Sequence, residues 1–369
     1  MPTRQSGGNR RRRFSALTGM VVVVLLALGI SACGSSNSTN SSSSTSASTT
    51  SSSSIKLAVV TASTTQNAFQ EMADGAEAAA EHEGVSMTSS APNGVNPTQE
   101  VSQFEAAAHT AKNGVAVMTT APEDFVRAYN QAVEEKVPVV TMDAPPPTGS
   151  KVTTYVGNNN VAVGEGLATY MLKKLPKTGE VVIGNDIPGL ILLELRIKGM
   201  EAVLKKERPG LKIAGPYSVG SEPAENYDHW SNLVKAHPNA VAYLAPGDQD
   251  AVSLYRIQKQ NSVHYLVGAC DVDPIALEAV KDGYVYALGD PYHYMKGYIA
   301  GTLLAQHAKG KPLPEGWWNP GQGIVTSENI DEIIKRESSP ANKYAFFEPL
   351  IKKELADPSA YLKPLSALG

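Results

Sequence analysis

Cysteine is nearly absent from this 369-residue chain, which has only Cys33 and Cys270. Two thiols exclude a disulfide-stapled scaffold and a thiolate zinc cluster. Acidic residues are missing from the start: the first is Glu71, while Arg4 and Arg10 to Arg13 all precede Cys33. The whole chain has 32 basic and 36 acidic groups, a net −4, but from Cys33 onward the count is 27 against 36, a net −9. That remainder has no electrostatic footprint for nucleic acid. Motifs of enzymatic chemistry are missing as well. There is no GK[ST] loop and no G-x-S-x-G elbow, and the seven histidines lie scattered without a His-Glu-x-x-His or other metal spacing. Gly164-Glu165-Gly166 falls inside a helical pattern rather than after a strand, which argues against a phosphate cradle. Asp271 and Asp273 form an i,i+2 pair at a loop, where capping is the commoner role. No catalytic residue, metal ligand or cofactor is therefore assigned, and the classes that remain are a binding protein and an enzyme.

Long hydrophobic runs are also lacking. The longest, Met20 to Ile30, is short of the roughly 20 residues needed to cross a bilayer but suits the h-region of a signal peptide behind a basic n-region. The sequence Gly29-Ile30-Ser31-Ala32-Cys33 resembles the bacterial lipobox, with Ile30 where Leu is usual. That resemblance implies cleavage after residue 32 and a diacylglyceryl anchor on Cys33. Arg11 to Phe14 also resembles a twin-arginine export signal, so export runs by the general secretory or the twin-arginine route. Residues 34–54 are almost all Ser, Thr, Asn and Gly. They have too little apolar surface to offset chain entropy and read as a tether.

Beyond the tether the chain is rich in apolar residues and regular in pattern. With 42% hydrophobic residues, it has enough material there for two cores. From Ile55, short β-branched runs alternate with longer amphipathic segments: Ile55–Thr61, Asn67–Glu83, Val85–Thr88, Thr98–Lys112, Val115–Thr119, Pro122–Glu135 and Val137–Met142. A second set runs from Asn160 to Ala287, ending with strands expected at His264–Val267 and Tyr284–Ala287. The pattern predicts an α/β fold of two doubly wound, parallel-sheet lobes, with one closed eight-stranded barrel as the competing count.

Several local motifs keep a common order along residues 60–345. They include Asn67-Ala68-Phe69 with Gly75, then Val137-Pro138-Val139-Val140-Thr141-Met142-Asp143, then Arg196-Ile197-Lys198-Gly199-Met200. Ala236-His237-Pro238-Asn239 through Gly247-Asp248, Val267-Gly268-Ala269-Cys270-Asp271, Asp290-Pro291-Tyr292 with Gly297, and Val325 to Ile330 continue the series. In this order the chain resembles the ribose/galactose-type (type I) substrate-binding proteins of ABC importers. The resemblance implies hinged Rossmann-like lobes: 55–150 with about 291–322 in one, and about 151–290 with 323–369 in the other. It further implies a monomer that takes a sugar or polyol between the lobes and delivers it to a membrane permease. A ligand-loaded sensor of a membrane receptor, and more distantly a Rossmann-like enzyme acting on carbohydrate, are the other readings.

The candidate ligand-binding residues are Ser63, Asn67, Phe69, Asp143, Arg196, Asp248, Asp271 and Asp290, which lie in the motifs of the resemblance, and Tyr227, an aromatic candidate. Carboxylates accept hydroxyl protons, Arg donates a planar fork, and an aromatic face covers the C–H face of a sugar. Phe69 is the first aromatic candidate, ahead of Tyr227, Trp230 and Tyr292. Asp143 and Asp271 fall at strand ends, where open α/β sheets bind ligands, although helix capping is the ordinary alternative for each. Ala144 and Gly247 stand where ribose binders carry Arg and an amide side chain, so the ligand should differ from ribose. Trp317 and Trp318 are expected to pack at a connection between the lobes, and Cys270 to be a buried, inert thiol.

Overall fold

The computed structural model describes residues 55–368. In chain order the elements are β1 Lys56–Val60, α1 Asn67–His82, β2 Ser86–Ser90, α2 Pro97–Thr110, β3 Val115–Val117, α3 Val126–Glu134, β4 Val139–Met142 and β5 Thr154–Val156. Then come α4 Asn160–Met171, β6 Thr178–Asn185, α5 Ile191–Glu207, β7 Gly210–Ser218, α6 Pro223–Ala236, β8 Ala240–Leu244, α7 Asp248–Asn261, β9 Leu266–Cys270, α8 Pro274–Lys281 and β10 Ala287–Asp290. The last are α9 His293–Ala308, β11 Gly316–Trp318, β12 Gly323–Val325, α10 Ile330–Glu337, α11 Pro340–Ala356 and β13 Leu362–Lys363.

These strands form two sheets rather than a cylinder. One has the order β13-β11-β5-β4-β3-β1-β2 and the other β12-β10-β9-β8-β6-β7. All pairings are parallel except those of the short late strands β12 and β13. The side-chain alternation of each strand explains why both faces are covered. In β1, Leu57 and Val59 join one apolar cluster with α1 and α9, while Ala58 and Val60 join another with α2 and α3. In β6, Val182 faces α6 to α8, whereas Val181 and Ile183 face α4 and α5.

Both lobes use the same device to bring two helices together. Gly75 of α1 lies against the Tyr294 carbonyl of α9, and Gly297 against that of Met72. Gly164 of α4 lies against the Arg196 carbonyl of α5, and Gly199 against that of Val161. A Cβ at any of the four would overlap a carbonyl oxygen. Gly164 is thus a helix-crossing residue, and the crossing fixes the part of α5 that carries Arg196.

The expected lobe boundaries shift in two places. β5 pairs with β4, so the first lobe extends beyond 150 to the crossing at 157–159. Its three-residue Thr-Tyr-Val core behind a Pro-rich loop is too short to read as a strand from sequence. The chain returns to the first lobe after α10: Phe347 and Ile351 of α11 enter the α1/α9 core, and β13 pairs with β11. Residues from 340 on therefore do not belong with the second sheet. β9 and β10 also start two to three residues later than expected, in the register set by Ala287 beside Gly268. The expectations for residues 1–54, including Cys33, lie outside the described residues. Among the described residues no helix is long and apolar enough to cross a membrane.

Candidate functional site

The carboxyl ends of the two sheets converge on one narrow cavity of about 30 Å³. Phe69, Asp143, Arg196, Asp248 and Asp271 line it, joined by Gln66, Asp186 and His293. The lobes already touch around its rim. The Asn67 backbone N–H donates to Asp248 Oδ2 at 3.1 Å, and Val95 N–H to Glu222 Oε1 at 3.2 Å, each across the gap. Asp248 sits at the positive end of α1 as well as in the first turn of α7.

Asp143 and Asp271 each follow the last residue of a central strand, with left-handed φ values of 60° and 71°. Asp tolerates this region better than bulky residues do. Each backbone N–H bonds across to the next strand, Asp143 to Val156 O at 2.9 Å and Asp271 to Gly289 O at 2.7 Å. Neither is a helix cap. The sharp turn instead aims both carboxylates into the gap.

Their charges are balanced by Lys296 and His293, which sequence reading missed, and by Arg196, which it found. Lys296 of α9, fully buried, contacts Asp143 and donates to Asn158 Oδ1 at 2.9 Å. Arg196 Nη1 lies 3.1 Å from Asp271 Oδ1, and His293 Nε2 lies 2.8 Å from the same oxygen. His293 Nδ1 is 3.9 Å from Asp143 Oδ2, so this ring straddles the two lobes at the second crossing. Burial pushes both carboxyls up, but Lys296 and His293 at Asp143, and Arg196 and His293 at Asp271, outweigh it and hold both below the usual range.

Asp186 and Asp248 behave in the opposite way. Burial, with the carboxylates of Asp250 and Asp271, raises Asp186 well above its usual value. Burial, with Asp271 and Asp273, does the same to Asp248 against the N–H groups of Ala68 and Asn67. Asp250 anchors this wall, accepting from Asn226 at 3.0 Å, Trp230 Nε1 at 2.7 Å and Gly247 N–H at 3.2 Å. The lack of a side chain at Gly247 has a reason, since a Cβ there would overlap the Asp186 carboxylate. Trp230 is accordingly core, not a sugar platform.

Four buried polar atoms at the cavity have no partner: Asp186 Oδ1, Arg196 Nη2, Asp248 Oδ1 and His293 Nδ1. Buried polar groups are normally hydrogen-bonded, so four orphans around one cavity amount to a waiting set of acceptors and donors. Among the described residues no group of three or more His, Cys, Asp or Glu side chains could hold a metal.

Four of the expected site residues lie elsewhere. Ser63 bonds Thr65 Oγ1 at 2.7 Å and closes its own turn, beside a surface groove between α1 and β2. Asn67 serves the rim contact, its side chain 3.5 Å from Val272 O. Tyr227 bonds Gln260 on the outer side of α6 and α7. Asp290 is taken by Arg336 at 2.6 Å and by the Tyr292 N–H at 3.0 Å. Tyr292 packs on Phe347, ring centres 5.2 Å apart. Trp317 and Trp318 are buried in β11; Trp317 Nε1 donates to Gly157 O, at the first crossing, at 2.6 Å, and Trp318 Nε1 to Glu354 at 2.7 Å. Asp186 was findable in principle, because it ends the apolar run of β6. Lys296 carried no signal, since it looks like any lysine on a helix.

The sequence matches the family described as the periplasmic binding protein domain over residues 57–312. It is 24% identical over 228 residues to a ribose import binding protein of Salmonella typhimurium, covering 62% of this chain and 76% of that one. A ribose import binding protein of Bacillus subtilis is 28% identical over 175 residues, 46% of this chain and 56% of that one. In fold the chain is similar to an ABC transporter solute-binding protein of Burkholderia graminis in complex with D-arabinose, with TM-score 0.70, 24% identity, and coverage of 76% and 97%. A periplasmic solute-binding protein of Actinobacillus succinogenes with bound D-allose gives TM-score 0.69 at 22% identity, covering 75% and 99%. With two facing parallel-sheet lobes and a family match across more than half its length, the chain belongs to the type I periplasmic binding proteins.

Proposed function

We propose that the protein captures a small sugar or polyol between its lobes, outside a membrane that holds it through diacylglycerol on Cys33, and hands it to the permease of an ABC importer. The observation that carries this reading is the set of four unpartnered buried atoms around one interlobe cavity. Hydroxyl groups both donate and accept, so one polyhydroxylated ring can complete all four. In this reading Phe69 covers a C–H face, while Arg196 and the carboxylates of Asp143 and Asp271 orient the hydroxyls; that all four line the cavity supports it. The ligands named for the similar proteins, ribose, D-arabinose and D-allose, are consistent in class. Closure about the crossings would shape one surface for the permease.

Calorimetric titration of the purified full-length protein with pentoses, hexoses and polyols is the test. We expect micromolar binding of at least one compound, about −8 kcal/mol. Asp143→Ala and Asp271→Ala should each weaken it by about 2–4 kcal/mol, the cost of losing a buried charge-assisted bond. Unchanged affinity in both variants removes these carboxylates from the site. Palmitate labelling that persists in Cys33→Ser rules out the anchor.

A further inference from the structure

One wall of the cavity offers only carbon. The loop after β6 and the first turn of α5 place Ile187, Leu190, Leu192 and Leu193 on it, while Ile191 points outward and is 42% exposed. The leucines pack on Ala144, the neighbour of Asp143, and so occupy the space a longer side chain there would need. The wall is held rigidly. Ile187 N–H donates to Asn185 Oδ1 at 3.2 Å, and Glu194 Oε1 accepts from both Asn185 Nδ2 and Gly189 N–H at 3.0 Å. Leu190 and Leu193 N–H groups are satisfied within the segment, at 3.1 and 3.0 Å. The unpartnered polar atoms all belong to other residues of the lining: Asp186, Arg196, Asp248 and His293.

A ring bearing hydroxyls on every edge would bury one of them against leucine methyls with nothing to bond. Leaving a hydroxyl unpaired in an apolar setting costs enough to lower affinity by about tenfold or more. A methyl group at the same place gains apolar contact. Resting on the function proposed above, we infer that the cleft selects a hydroxylated ligand with one carbon-only edge, of the 6-deoxyhexose class, with that edge seated against Leu190, Leu192 and Leu193.

The test is titration of the full-length protein with matched pairs that differ only in a methyl or hydroxymethyl group: L-fucose and L-galactose, L-rhamnose and L-mannose, 6-deoxy-D-glucose and D-glucose. The deoxy member of at least one pair should bind about tenfold tighter or better. Leu192→Asn should erase that preference, whereas Ile191→Asn, on the outward face, should preserve it. If some sugars bind but no pair reaches a tenfold preference for the deoxy member, the carbon edge is wrong and sugar capture stands. If the folded protein binds neither member of any pair nor any other sugar or polyol, both readings fall together. The preference of the unaltered protein decides the matter even where a variant does not fold.

Discussion

Asp143 and Asp271 hold matching places in the two lobes, each one step past a central strand and each turned left-handed into the cleft. Their surroundings differ. Asp143 relies chiefly on one buried ammonium, Lys296, from a helix that packs on its own lobe. Asp271 shares Arg196 from α5 with His293 from the crossing between lobes. Beside these balanced carboxylates stand Asp186 and Asp248, which have no cation within salt-bridge distance among the described residues. The same residue type thus does two jobs. Asp143 and Asp271 form a charged frame at the base of the gap, and the other two each present a buried carboxyl oxygen without a partner.

The largest effect should come from breaking the frame on its single-partner side. Lys296→Met leaves Asp143 buried without its main cation, and loss of one member of a buried pair costs about 3–5 kcal/mol. His293→Gln leaves Arg196 on Asp271 and should cost less, about 1–3 kcal/mol. Urea unfolding of both variants measures the difference. Equal losses would show that the two frames are equivalent after all.

A smaller effect separates the balanced carboxylates from the unbalanced ones by sign. Asp143 and Asp271 have lowered values in the fold, so the folded protein binds fewer protons than the unfolded chain. Their contribution is present above the unfolded value, near pH 4, and is lost as pH falls through the folded values. Asp186 and Asp248 are raised, so the folded protein keeps protons that the unfolded chain releases. Their contribution is full below about pH 4 and is lost as pH rises toward the folded values, at up to about 1.4 kcal/mol per pH unit for each group. Between pH 5 and 7, Asp186→Asn should therefore flatten a decline in stability that Asp143→Asn leaves in place. Unfolding midpoints in urea at pH 5, 6 and 7 provide the check, and parallel curves for all three proteins would sink the distinction.

Sequence reading reached the frame from one side only. Strand-end position and motif order found Asp143, Asp271 and Arg196, because those residues are tied to elements of regular length. Asp290 and Tyr227 sat at equally plausible places but are used by Arg336 and Gln260, partners 46 and 33 residues away that local patterns do not reveal. Lys296 and His293 come from a helix whose lobe is decided by the glycine crossing with α1, a contact between residues more than 200 positions apart in the chain. The two sheets were legible because β-branched runs recur at even spacing. The return of α11 and β13 was not, because Pro349 interrupts the helical pattern and β13 has only two residues.

The smallest expected effect concerns the residues just before the two frame aspartates, Met142 and Cys270. Both are wholly buried at strand ends, and Met142 is plainly packing. Cys270 borders the charged site, which makes a reactive thiol conceivable from position alone. Burial, against the pull of Arg196, pushes it up to about 12, so the thiolate that reacts is scarce at neutral pH. In a Cys33→Ser background Cys270 is the one thiol left in the chain. The native protein should then resist iodoacetamide at pH 8 for hours and label fully in urea. Cys270→Ala should leave sugar affinity unchanged, since the sulfur fills space as Met142 does. Rapid native labelling, or loss of binding in that variant, would instead make the pair of strand ends chemically unequal and bring Cys270 into the site.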